Sequence, residues 1–428
     1  IASKLVALNH DVKRISVDAD SLIAQFGTIN KIKFHESQSG AVKAALVNGA
    51  TVITGGPGTG KTTIIKCIGQ ILTSQGLRVL FCAPTGRASK RITQSTGFEA
   101  KTIHRMLGFE AVEDRMLFKY NRANPLPCDA VIVDEVSMVD VNIMYNLLCA
   151  IPSGARLILV GDKDQLPSVG AGNVLADVIR SGVIEIRYLT HIYRQSEDSL
   201  IVSNAHLINH GHMPEINNRS KDFFYTALTD YPEIADTVIG LVTKRLPGYT
   251  GVAPMDIQVL AALKSGVCGV ENINKRLQEA INPRVYGKNE ITVGNNLFRV
   301  GDKVMQTVND YELPFVKYGE GAPEEGQGVF NGDIGTVKSI DRANGIVEVW
   351  YDDNRLATYG EADLSDLQLA YAITIHKSQG SEFDVVVIPL VSGPPTLINK
   401  NLLYTAITRA KRAVVIVGSK KILAMMVH

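Results

Sequence analysis

The sequence predicts an α/β protein built on parallel sheets, in two alternating regions, with a β-rich insert in the second. Three observations predict it. Short β-branched runs alternate with helical stretches from residue 51 to about 190, and again from about 256 to the C-terminus. The first run leads directly into a glycine-rich loop at 55–62 and then a helix. Between 297 and 366 the alternation stops, and short β-rich pieces are joined by Gly, Asn and Asp turns. Alternation at this spacing implies parallel strands covered by helices on both faces, whereas short strands at turn spacing imply a small barrel.

Residues 1–33 read as modestly amphipathic helix with no motif, a helical linker remnant. Thr51-Val52-Ile53-Thr54 reads as a buried strand, and Thr63-Ile64-Ile65-Lys66-Cys67-Ile68 as a helix. Between them Gly55-Gly56-Pro57-Gly58-Thr59-Gly60-Lys61-Thr62 completes the pattern G-x-x-x-x-G-K-[ST]. Strand, glycine loop and helix aim backbone N–H groups and a helix N-terminus at phosphates. Lys61 is expected to reach the β- and γ-phosphates and Thr62 to hold Mg²⁺, with Thr63 beside them.

Further strands are expected at 77–82, 130–134, 157–160 and 184–189. A polar stretch at 108–128 breaks the pattern and reads as a small excursion from the sheet. Asp134-Glu135 follows the apolar run at 130–133, where a strand end would set it beside the glycine loop. Asp134 is expected in the Mg²⁺ shell, and Glu135 is expected to polarise an attacking water. Gln165, in Gly161-Asp162-Lys163-Asp164-Gln165, carries an amide that donates and accepts at once, so it is a candidate sensor of the γ-phosphate. Arg194 and Arg409 are candidate guanidinium forks for that phosphate, provided that ATP lies between the two regions.

The second region is expected to use strands at 256–260, 385–388 and 414–417. Within the insert, the Gly-, Pro- and Glu-rich stretch 313–328 reads as a mobile loop, and Trp350 as barrel core or a base-stacking platform.

Composition bounds the classes. With 428 residues, 45% hydrophobic and formal net charge +1, the chain is an ordinary globular one. No apolar run approaches the ~20 residues of a membrane span. No signal peptide is evident, and the start at Ile1 reads as a trimmed fragment. Five cysteines without metal-ligand spacing read as buried thiols of a cytoplasmic protein. Arg87, Lys90, Arg91, Lys101 and Arg105, against Glu99 alone, form a basic track in an otherwise balanced chain. No acidic cluster outside the nucleotide site would build a two-metal nuclease centre.

One ordered set spans nearly the whole chain: His35-Glu36-Ser37-Gln38, the glycine loop, Ala83-Pro84-Thr85-Gly86-Arg87-Ala88, Thr102-Ile103-His104-Arg105, Asp134-Glu135, Gly161 to Gln165, Tyr193-Arg194-Gln195, His376 to Glu382, and Tyr404 to Ala410. It resembles the superfamily 1 helicases, and among them the RecD-like ATP-dependent DNA helicases. The resemblance implies two RecA-like P-loop domains, the first over 34–192 with 108–128 as a pin, the second over 193–296 and 367–428. Residues 297–366 would be an SH3-like barrel. It implies ATP and Mg²⁺ as cofactors. Gln38 would read adenine, Tyr193 would stack on it, and Gly380 and Glu382 would lie at the ribose. Thr85, Arg87, His104, Arg105, Asn309, His376 and Lys377 would lie near single-stranded DNA.

The implied activity is 5′→3′ translocation on single-stranded DNA with duplex unwinding, in repair or recombination. The implied partners are single-stranded DNA and duplex junctions, with recombination or single-strand-binding proteins beside a monomer. A DNA-binding ATPase subunit with little unwinding of its own is the alternative. Longer relatives carry a further N-terminal domain. The chain departs from the family pattern at Ala261-Ala262-Leu263-Lys264 and Val267-Cys268-Gly269, where relatives usually read Ala/Thr-Pro-Met-Arg and Pro-Leu-Gly.

Overall fold

The computed structural model describes all residues except 113–114, 192–198, 217–220 and 320, and side chains at 110–116 are likewise not described. The chain forms two compact units, Ile1–Glu197 and Asp198–His428.

Unit 1 contains the strands β1 (Ala50–Gly55), β2 (Val79–Ala83), β3 (Ala100–Thr102), β4 (Phe109–Val112), β5 (Arg115–Phe118), β6 (Ala130–Val133), β7 (Arg156–Gly161) and β8 (Glu185–Leu189). Six of them form one parallel sheet in the order β3-β2-β6-β7-β1-β8. Burial on both faces explains the continuous apolar runs. Val52, Val131, Val133, Leu157 and Leu159 point into one core. Ile53, Ala130, Ile132, Ile158 and Val160 point into the other, against the helices Glu36–Val47, Lys61–Ser74 and Gly86–Thr96. Two further helices, Ala2–Asp11 and Ala19–Asn30, account for the N-terminal stretch. The excursion at 108–128 contains the antiparallel hairpin β4–β5.

Unit 2 holds β9 (Phe223–Ala227), β10 (Ile257–Ala261), β11 (Glu290–Val293), β12 (Asn296–Arg299), β13 (Lys303–Gln306), β14 (Asp310–Lys317), β15 (Glu324–Val329), β16 (Ile334–Asp341), β17 (Ile346–Tyr351), β18 (Arg355–Tyr359), β19 (Leu367–Leu369), β20 (Ala372–Thr374), β21 (Phe383–Leu390) and β22 (Ala410–Gly418). The parallel sheet runs β20-β10-β21-β22-β9. The insert is a seven-stranded antiparallel sheet in the order β15-β14-β18-β17-β16-β13-β19.

Two expectations for the insert are corrected. The stretch at 313–328 is not a loop. Its Phe315, Val316 and Lys317 pair with Gly326, Glu325 and Glu324, making a hairpin of β14 and β15. The Phe315 ring lies where a Gly326 side chain would stand, which anchors the hairpin despite its glycine content. Trp350 is not core. It pairs with Leu356 across the strands, is only half-buried, and stacks on Tyr318 at 5.4 Å between ring centroids. The core positions of that strand are the alternate ones, Val347, Val349 and Tyr351.

The insert also has a polar interior. Arg355 and Asp333 are buried and paired at 2.6 Å, and Arg355 also bonds both oxygens of Asp353 and the carbonyl of Gly328. Its guanidinium lies over the Phe315 ring at 5.0 Å. Tyr359 donates its hydroxyl to Gln306 Oε1 at 2.7 Å and is bonded to the Tyr351 hydroxyl.

Candidate nucleotide and nucleic-acid sites

Parallel topology brings the motifs of unit 1 to one sheet edge. Strands β1, β2, β3, β6 and β7 all run the same way, so the residues just past their ends share that edge. These are the glycine loop, Thr85, His104, Asp134-Glu135 and the Gly161–Gln165 turn.

The loop is held from within and from behind. Lys61 opens the helix Lys61–Ser74, and its Nζ donates to the carbonyls of Gly55 at 2.7 Å and Gly56 at 2.9 Å. Thr59 Oγ1 donates to Gly56 O at 2.9 Å. Gly60 has φ +82°, a left-handed backbone that glycine adopts without penalty. Behind it stands Gln38, which is 3% exposed. Its Nε2 donates to Thr59 O at 2.9 Å, and its Oε1 accepts from His35 N at 3.1 Å. The second bond completes a capping box at the start of the helix Glu36–Val47. The structure therefore finds Gln38 engaged as a brace of the loop, a role that sequence reading did not assign to it. The capping box has a sequence signal in the spacing His35-x-x-Gln38, whereas the bond to Thr59 has none.

Glu135 has φ +53°, uncommon for a residue with a side chain. Its N–H donates to Asp134 Oδ1 at 2.8 Å. It is 6% exposed, and its Oε2 is buried with no hydrogen-bond partner among the described residues, as is Ser137 Oγ. A buried carboxylate oxygen left so is costly unless a ligand meets it. Burial, and then the charge of Glu135, push the Asp134 carboxyl up to about 6, against the pull of Lys61 and Arg91. Thr62 hydroxyl and Asp134 carboxylate are hard oxygen donors, and a divalent cation held by them would offset the burial and the repulsion that raise Asp134. The donor set fits Mg²⁺.

Gln165 is buried, and its Nε2 donates to Asp162 Oδ2 at 3.3 Å. The same turn is fixed to β1 through Lys163 N–H, which donates to Thr54 Oγ1 at 3.2 Å. A Cβ on Gly161 would lie 3.2 Å from Val136 N, so this glycine lets the Glu135–Val136 turn pack onto β7.

Among the candidate DNA residues of unit 1, Thr85 caps the helix Gly86–Thr96 by accepting from Ala88 N at 3.2 Å. His104 is half-buried, sits edge-on to Phe109 at 5.8 Å, and burial pushes its pKa down. Arg87 is half-buried and Arg105 exposed. Tyr193 and Arg194 lie outside the described residues.

In unit 2 the candidates divide between the two sheet edges. His376 and Lys377 follow the end of β20, at the carboxyl edge. Gly380 and Glu382 lead into the start of β21, and Arg409 immediately precedes β22, at the amino edge. Arg409 is 4% exposed. It donates to Thr405 O at 3.2 Å, Ser381 O at 3.1 Å and Thr408 Oγ1 at 3.3 Å, with no carboxylate partner among the described residues. Glu382 is half-buried and pairs with Lys411 at 3.8 Å. Asn309, exposed on the insert, accepts from Asn331 N at 3.0 Å.

Comparison with known proteins gives the family. The ATP-dependent RecD-like DNA helicase SH3 domain matches residues 273–351, an AAA domain matches 38–171, and a UvrD-like helicase C-terminal domain matches 369–417. The RecBCD enzyme subunit RecD of Mycolicibacterium smegmatis is 32% identical, covering 90% of this chain and 71% of that protein. The chain belongs to the RecD-like family of superfamily 1 ATP-dependent DNA helicases. The ATP-dependent RecD2 DNA helicase of Deinococcus radiodurans is 36% identical over 88% of this chain, which spans 48% of that relative's length. The RecD-like chain also shares its fold with the Bacteroides Pif1 solved bound to single-stranded DNA, at TM-score 0.54 and 20% identity, covering 90% of this chain and 92% of Pif1. Candida albicans Pif1 matches at TM-score 0.52 and 19% identity, covering 93% and 97%. No helix among the described residues is long and apolar enough to cross a membrane.

Proposed function

We propose that this RecD-like chain is an ATP-driven motor that moves 5′→3′ on single-stranded DNA and unwinds duplex, in repair or recombination. The observation that carries the nucleotide half of this reading is the convergence on one sheet edge of the glycine loop, the Asp134-Glu135 pair, whose Glu135 Oε2 is buried without a partner among the described residues, and the Gln165 turn.

On ATP binding, Lys61 exchanges the carbonyls of Gly55 and Gly56 for phosphate oxygens. The loop N–H groups and the start of the helix Lys61–Ser74 supply the rest of the cradle. Thr62 and Asp134 hold Mg²⁺, which when bound offsets charge on the phosphates. Glu135 orients the attacking water, and Gln165 reports the state of the γ-phosphate. Tyr193 stacks on the adenine that Gln38 reads. Gly380 and Glu382 contribute at the ribose. Arg194 and Arg409 stabilise charge on the transferring phosphoryl group. Thr85, Arg87, His104, Arg105, Asn309, His376 and Lys377 hold the DNA, and the lysines and arginines make binding salt-dependent.

The test is ATPase activity with and without single-stranded DNA, beside unwinding of forks carrying one tail. DNA-stimulated hydrolysis and unwinding from a 5′ tail are expected. Hydrolysis that persists in Lys61→Ala would sink the site assignment, and unwinding from a 3′ tail alone would overturn the polarity.

A further inference from the structure

Two exposed histidines meet beside the phosphate loop. His35 caps the start of the helix Glu36–Val47, and His191 stands two residues past the end of β8. Their ring centroids are 4.6 Å apart and the rings are 5° from parallel. Rings held face to face at this distance form a packing contact, and only the fold brings these two together.

His35 is tied to the loop by hydrogen bonds. Its Nδ1 accepts from Ser37 N at 3.2 Å, and its backbone N–H donates to Gln38 Oε1 at 3.1 Å. Gln38 Nε2 in turn donates to Thr59 O at 2.9 Å. The contacts therefore run from His191 through His35 and Gln38 to the loop. The same strand end meets the loop a second time. Leu189 pairs with Gly55, and a Cβ on Gly55 would stand 2.8 Å from Leu189 Cβ. The segment that closes β8 thus holds the loop at its first glycine and, through two side chains, at Thr59.

We propose that His191 is a positioning residue for nucleotide binding: its ring, stacked on His35, steadies the Gln38 brace and keeps the phosphate loop in its binding shape. The effect is one of ordering. The Gln38 side chain must satisfy two partners at once, and a long side chain fixed before the ligand arrives takes less from the binding free energy. His191 also stands two residues before Tyr193, so the stack joins the segment leading to the adenine contact to the helix start that braces the phosphates. The proposal rests on the ATP-binding reading above and adds a residue that acts through His35 and Gln38.

The experiment measures steady-state ATPase and titration with a fluorescent ATP analogue. It compares wild type, His191→Ala, His191→Phe, Gln38→Ala and the double variant His191→Ala with Gln38→Ala. His191→Ala should raise the KM for ATP and weaken analogue binding about fivefold, the worth of one aromatic pair. Turnover at saturating ATP should stay within about twofold. His191→Phe keeps a flat ring and should restore binding. The double variant should bind no more weakly than Gln38→Ala alone, because both residues lie on one route. Unchanged affinity in His191→Ala, no rescue by His191→Phe, or full additivity in the double variant would each overturn the proposal and leave the ATP site intact. Wild type that neither binds the analogue nor hydrolyses ATP would overturn the ATP reading itself. His191 is exposed, so its variants should keep the fold, and equal thermal unfolding midpoints check this.

Discussion

Gln38 Nε2 donates to the carbonyl of Thr59 at 2.9 Å, so a side chain from one helix braces the turn that opens the next. The phosphate loop is thus not shaped by its glycines alone. Replacing Gln38 by Ala removes this bond and half of a capping box, leaving the Thr59 carbonyl without that partner. The expected loss is ~1–3 kcal/mol of stability, with weaker nucleotide binding. Thermal unfolding and titration with a fluorescent ATP analogue check both; unchanged affinity would show that the loop holds its shape unaided.

Gly60→Ala should fail for two separable reasons. Its φ of +82° costs an L-residue ~1–2 kcal/mol, and the new Cβ would stand 2.5 Å from Gln38 Nε2. In the double variant Gly60→Ala with Gln38→Ala the second cost disappears and the first stays. Nucleotide affinity measured across this cycle should therefore be non-additive.

The Asp134 carboxyl is pushed up to about 6, above the 3.8 of an unhindered aspartate. A carboxyl raised on folding favours its protonated form in the native state. Its contribution to apo stability is fully present below pH 3.8 and is lost as pH rises through about 6. Metal binding runs the other way, since the cation needs the carboxylate. Mg²⁺-dependent nucleotide binding should weaken between pH 7.5 and pH 5. Asp134→Asn should flatten that dependence in a calorimetric titration.

Arg355 and Asp333 form a buried pair at 2.6 Å within the insert. Asp333→Asn leaves the guanidinium without its most buried carboxylate and should cost ~3–5 kcal/mol locally. Trp350, the only tryptophan, lies on the same sheet, so its fluorescence reports this event. Its unfolding midpoint in denaturant should fall, and coincidence with the wild-type curve would refute the argument.

Arg409→Lys tests the fork rather than the charge. Lysine keeps the cation but cannot make the three guanidinium contacts to Thr405, Ser381 and Thr408. ATP affinity should be nearly kept and turnover should fall by at least ~10-fold, read in steady-state ATPase.

Much of unit 1 was legible because its signals are local. β-Branched runs, a glycine loop and strand-end acids each declare themselves within a few residues, and parallel pairing of β1, β6 and β7 then carries their ends to one edge. The insert was less legible. The glycines and prolines between 313 and 328 read as loop, yet the ring of Phe315 over Gly326 and the pairing with β18 make a hairpin of them. Trp350 was misread because strand alternation gives two faces, and sequence does not say which is inside. The brace at Gln38 joins residues 38 and 59, a separation that no local pattern spans.

The sequence by itself determined the family, the nucleotide loop and the order of the motifs, because phosphate chemistry demands particular residues at fixed spacing. Only the tertiary structure decided which side chains are already engaged: Gln38 on the loop, Arg409 among backbone carbonyls, and Gln278 on Asp302 and the Leu297 carbonyl. Those are facts of burial and distance between residues far apart in the chain. A buried polar atom must find a partner wherever the fold sets one, and its neighbours in sequence do not name it.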